Sequence, residues 1–326
     1  MRETSFEKLI EIAEESRKYS GNNNVFLVGP DIAFHSRIFE LIDALRERNF
    51  NLSIPSMRLE MITKDFLEML KESGVTQFDM APESIYRIRK SLNKDVSDEI
   101  VQNVMEMALD TGLHLKFLLM FGFPNETEED VIDLAKFIKH ILKTRDRFNK
   151  NLYVDFKISP AIPGPHTPLQ WEPFDINKIN YKIGIFMEEL SDLNLEYAGS
   201  TELGVNYLNY DINVRIDFNS NDGCLKEYVL FCGNDETGEF IMNNDFNAPI
   251  SEWEKYLPIY NIGDELPWDY IDLGYRDSFI PREYKKMLKF KTTPCVRKIL
   301  VSIVRITVKE IHTLKMNHKI FSIHHH

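Results

Sequence analysis

Six polar residues fall where apolar runs stop: Asp31, Ser56, Arg58, Glu83, Arg87 and Arg89. Carboxylates accept from ammonium and hydroxyl groups, and arginine forks take a carboxylate. The set therefore suits a small zwitterion or a ribose. Taken singly, each could equally be a helix cap or a surface pair. Gly122 ends a further apolar run, "LKFLLMFG", and would let a flat ligand approach the backbone. Directly after it, Glu126, Glu128, Glu129 and Asp130 crowd the start of a helix pattern. A helix N-terminus normally attracts anions. Here the acid already supplies the charge, so a phosphorylated ligand is disfavoured.

Other chemistries lack their residues. There is no GxGxxG, no P-loop, no GxSxG and no Ser-His-Asp pattern. Cys224, Cys232 and Cys295 have no metal-knuckle spacing, and Cys224 and Cys232 are read as packing residues. The histidines are scattered, and His324–His326 resemble a purification tag. No metal site is expected.

The elements that must position these residues alternate. Strand patterns at Asn24–Gly29, Phe50–Ser56, "VTQFDM", "LHLKFLLMFG" and "NLYVDFKISP" are separated by helix patterns. Expected caps include a capping box at Thr4 and Glu7, Ser36, Thr63 with Gly74 as the stop, and the serine of "SDEIVQ". Strand, helix, strand at this spacing means parallel pairing, and both a barrel and an open sheet fit. In either, the strand C-termini form the ligand face. After Trp171 the texture becomes rich in Asn, Asp and Tyr. Residues 1–172 are therefore expected to form an α/β domain. Residues 173–326 should form a smaller α+β domain that opens on a helix at Asn180–Leu190.

The chain has 326 residues and a net charge of −12. Such acidity disfavours nucleic acid and anionic membranes. The segment "ILVSIVRITV" is too short to span a bilayer. Few cysteines and no visible signal peptide imply a cytoplasmic protein.

Five stretches, in order, resemble the radical S-adenosylmethionine (SAM) enzymes, specifically the branch often fused to a cobalamin-binding domain. They are "LSIPSMRLE", "APESIYRIRKSLNK", "LKFLLMFGFPNETEEDVIDL", "ISPAIPGPHTPLQW" and "LPWDYIDLGYRDSFIPREYKKMLKFKTTPC". The resemblance implies a partial (β/α) barrel that binds SAM and a [4Fe–4S] cluster and generates a 5′-deoxyadenosyl radical. It implies Gly29 and Asp31 near the SAM amino group, and Ser56 and Arg58 from the next strand. It implies Glu83, with Arg87 or Arg89, for the ribose and carboxylate. Gly122 and Phe123 would lie beside the adenine, with the loop around Pro163 following.

The sequence departs from the family at its centre. The family's CxxxCxxC, whose thiolates hold the cluster, is absent. The turn after Ala-Pro-Glu carries Ser84 alone where Ala-Gly is usual. The chain opens on what matches the family's first helix, so the first strand, the cluster loop and any cobalamin domain are expected upstream of Met1. The expected protein is thus a fragment of a radical SAM Fe–S oxidoreductase, inactive alone. The alternative is a cluster-free module that binds SAM or a nucleoside, or a protein partner, on the same scaffold. The unpaired edge of Asn24–Val28 should be covered by the C-terminal region or by a second copy.

Overall fold

A computed structural model describes residues 3–29, 32, 35–193, 195–199, 207–211, 213–218, 240, 250–256 and 259–293. Helix α1 (Phe6–Ser20) is capped by Ser5, whose side chain accepts from Lys8 N, one residue later than the expected capping box. Strand β1 (Asn24–Phe26) pairs in parallel with β2 (Asn51–Ser53) across α2 (Ile38–Glu47). Ser36 does not cap α2. Its hydroxyl and its amide are both held by Glu3, and Arg37 stands at the cap without a side-chain bond.

Helix α3 (Lys64–Glu72) and helix α5 (Asp98–Asp110) start on Thr63 and Ser97. They are followed by Gly74 and Gly112 at φ +85 and +78, a left-handed conformation that suits glycine. Between them lie β3 (Gln77–Glu83) and the short α4 (Tyr86–Ser91). Strand β4 (His114–Phe121), helix α6 (Glu128–Phe148), strand β5 (Val154–Pro160) and helix α7 (Ile176–Glu189) follow. Beyond them come β6 (Glu196–Gly199), β7 (Tyr207–Asp211) and β8 (Val214–Phe218).

The second sheet has the order β3-β4-β5-β8-β7-β6. β3, β4, β5 and β8 are parallel, whereas β7 runs antiparallel to its neighbours β8 and β6. This is a mixed α/β fold in which parallel strands are joined through crossover helices. The sheet crosses the boundary expected after residue 172, because β8 pairs with β5. The core crosses it too: Ile176, Ile179, Ile183 and Phe186 of α7 join Phe117, Leu134, Ile138 and Phe156 in one apolar cluster. α7 is therefore the helix that covers β5, and it begins four residues before the expected start.

The edge of β1 is open among the described residues, with Phe26 and Val28 60% and 80% exposed. The cover expected from the C-terminal region is not seen there. Residues 259–293 instead form a strap that ends on α8 (Phe279–Met287) and the turn after it. Its own core is small: Leu266 and Trp268 against Trp171, with Tyr260, Ile280 and Tyr284 at the rim. No described helix is long and apolar enough to cross a membrane.

Candidate functional site

The expected residues follow the C-terminal ends of parallel strands in two sheets. Gly29 is exposed beyond β1, and Asp31 lies outside the described residues. Ser56 is half-buried after β2, and Arg58 is exposed.

The end of β3 is the most constrained. Glu83 adopts φ +66, in the left-handed region where a non-glycine residue is uncommon. Lys94 holds this turn by donating to the Glu83 carboxylate at 2.8 Å and to the carbonyl of Ala81. The arginines then divide. Arg89 is fully buried and does not reach the ligand face. Its guanidinium donates to Ser84 O at 2.8 Å, to Val96 O at 3.0 Å and to Asp98. Burial lowers its pKa against the pull of Asp98. Its work is to hold the turn after β3. Arg87 is half-exposed, pairs with Asp130 at the start of α6 and stacks on Phe290 at 4.0 Å.

Gly122 stands at φ +89 beyond β4, and a Cβ there would lie 2.5 Å from Cδ1 of Ile179. The seat expected for a flat ligand is therefore filled by α7. Gly122 N donates to Glu126 Oε2 at 2.7 Å, and Lys182 of α7 donates to the same oxygen at 2.6 Å. The Glu126 and Lys182 side chains are 1% and 5% exposed. Burial pushes the Glu126 carboxyl up, and Lys182 and Gly122 N pull it back. Asp130 completes a capping box with Thr127. Its burial would raise its pKa, but the Thr127 amide and Arg87 outweigh that and hold it low. Two of the four acids before and within the first turn of α6 are thus spent internally, and only Glu128 and Glu129 face solvent with Thr127.

Phe123 is buried with Ile88 and Ala161, with Phe290 of the strap against them. Pro163 is buried and lines a cavity of about 110 Å³ with Gly122, Ala161, Leu169, Glu172 and Lys178. Pockets for drug-sized ligands hold roughly 300–1,000 Å³. This one admits only a portion of a nucleoside as it stands.

Lys94, Ile179, Lys182 and Phe290 were not foreseen from the sequence. Lys94 closes "APESIYRIRKSLNK", and its charge one turn after two arginines was the available signal. The others act across long separations that no local pattern marks. Among the described residues no group of three or more His, Cys, Asp or Glu could hold a metal ion.

Residues 1–138 match the sequence model of the Radical SAM superfamily. The chain is 30% identical over 178 residues to the uncharacterized protein MJ0966 of Methanocaldococcus jannaschii, covering 53% of this chain and 38% of that one. Among solved structures it is similar to coproporphyrinogen III oxidase (HemN) from Escherichia coli, a radical SAM enzyme. That match is 14% identical with a TM-score of 0.43, over 66% of this chain and 56% of the other. It is also similar to Streptococcus suis SuiB bound to S-adenosylmethionine, at 14% identity and TM-score 0.43, over 62% and 45% of the two chains. The chain spans less than two thirds of the length of each of these proteins.

Proposed function

We propose that the strand C-terminal face of residues 1–172 is a SAM-binding face. We further propose that the protein belongs to the cobalamin-associated branch of the radical SAM enzymes. The match of residues 1–138 to the superfamily carries this reading. The donor set supports it. Glu83 offers an acceptor for an ammonium, Ser56 a hydroxyl partner, and Arg87 a fork at the edge of the face. SAM has no phosphate, and at the start of α6 the amides of Thr127 and Asp130 are already bonded within the capping box.

A [4Fe–4S] cluster does not fit the donors of this chain. Residues 1–223 contain no cysteine at all, and the three later ones lack the spacing that holds three irons. In the family the cluster supplies the electron that makes SAM react. The thiolates would have to come from outside these 326 residues, and the chain alone binds SAM without cleaving it. A cluster-free module remains the second reading, favoured by the shortened turn at Ser84.

The test has two parts. Calorimetry with SAM on the full chain should show saturable binding, and its absence at millimolar SAM sinks the reading of the face. Iron and sulfide reconstitution should leave the chain without the broad visible absorbance of a cluster. Uptake of a full cluster would overturn the reading of the cysteines.

A further inference from the structure

The strap of residues 259–293 lies over the face just described. Asn125, in the turn after β4, donates through Nδ2 to Met287 O at 2.9 Å. Asn93, after α4, accepts from Thr293 N at 2.7 Å. Between these anchors Phe290 packs against Ile88, Phe123 and Ala161, and Arg87 stacks on its ring. Ala161 and Leu169 belong to the same apolar cluster as Phe290 and also line the cavity. The ring thus sits against the cluster whose residues wall the cavity.

Two observations bear on how this contact is held. Phe290 adopts φ +53, a conformation that an aromatic residue holds only where its surroundings over-determine it. Such residues cluster at ligand clamps and switch regions. The strap is also held without strand pairing, through contacts such as Trp268 Nε1 to Gln170 Oε1 at 2.9 Å. It contributes no described strand to either sheet, and its own core is the small cluster around Trp268. Ile259, Tyr270, Leu273 and Tyr275 on it stay exposed. Segments with few buried apolar contacts open at a small fraction of the global unfolding free energy.

We propose that the strap is a removable cover of the ligand face and that Phe290 is its latch, so that ligand enters only when Phe290 leaves its seat. The inference rests on the SAM-binding reading. When the ring withdraws, the seat of Ile88, Phe123 and Ala161 joins the cavity beside Gly122 and Pro163. Arg87 then loses its aromatic partner and turns to the incoming ligand.

The experiment compares SAM affinity by calorimetry in the full chain, in Phe290→Ala and in Asn93→Gly. The second variant removes a strap anchor without touching the apolar seat, so it guards against a misfolded first one. Both should bind SAM more tightly than the parent, by about tenfold or more for Phe290→Ala. Amide hydrogen exchange gives an independent readout, since SAM should speed exchange at Thr293 in the parent chain. Equal affinity in all three overturns the latch and leaves the SAM reading standing. Slower exchange at Thr293 with SAM also overturns it, because the strap then closes on ligand. If no variant binds SAM although Thr293 exchanges freely in Phe290→Ala, the SAM reading fails and the latch falls with it.

Discussion

Replacing Gly122 by alanine separates the glycine's structural role from any role in admitting ligand. Two costs follow from the geometry. A side chain at φ +89 carries a left-handed penalty of about 1–2 kcal/mol. The added Cβ also lies 2.5 Å from Cδ1 of Ile179, an overpacking that costs about 1–3 kcal/mol. Gly122→Ala should therefore lose about 2–5 kcal/mol. The two parts can be told apart. Ile179→Val removes the clashing Cδ1 and by itself costs about 0.5–1.5 kcal/mol. In that background Gly122→Ala should cost only the backbone part, about 1–2 kcal/mol. The assay is urea unfolding of the four proteins of the cycle, read at constant slope. An equal cost of Gly122→Ala in both backgrounds refutes the argument that α7 occupies the glycine. A cost near zero refutes the backbone argument as well.

Lys182→Met should cost about 3–5 kcal/mol, because it strands the Glu126 carboxylate in the interior. The pH dependence has a definite sign. Glu126 has a raised carboxyl pKa in the fold, so the unfolded chain ionises first, near 4.5. Its contribution is complete below that value and is lost as pH rises through the folded one. Without Lys182 that loss should extend further toward neutral pH, and adding Glu126→Gln should abolish the difference, as urea melts between pH 4 and 8 would show. Arg89→Met should cost about 3 kcal/mol or more, since Ser84 O and Val96 O each lose a buried donor. Arg89→Lys should recover little of it, because one ammonium cannot reproduce the fork, and thermal unfolding of the two variants would check this.

The parallel strands and their crossovers were legible because their signals are local. Apolar runs of β3, β4 and β5 alternate with helices whose expected caps at Thr63 and Ser97 the structure uses. Ser36 misled because its hydroxyl is taken by Glu3, a partner far away in sequence. The continuation of the sheet past Trp171 was hidden because β8 finds β5 across two antiparallel strands and α7. At the site, the split between Arg87 and Arg89 could have been read. Residues two apart on a helix do not share a face. Only one of the pair could therefore serve the ligand face, but Ile88 lies between them and does not say which. The role of Phe290 could not be read, because it is defined by a contact and not by a pattern.

The acid before α6 is the place where sequence and structure give one conclusion for different reasons. Read from the sequence, Glu126, Glu128, Glu129 and Asp130 disfavour phosphate by repulsion. In the structure Glu126 is neutralised by Lys182, and Asp130 by Arg87 and its own cap. Repulsion is therefore weaker than the count suggests. What disfavours phosphate is that the donors are spent: Gly122 N on Glu126, Thr127 N on Asp130, and Asp130 N on Thr127 Oγ1. An anion needs those amides free. To obtain Gly122 N it would have to expel a buried carboxylate that Lys182 of α7 also holds, and to obtain the other two it would have to break the capping box of α6.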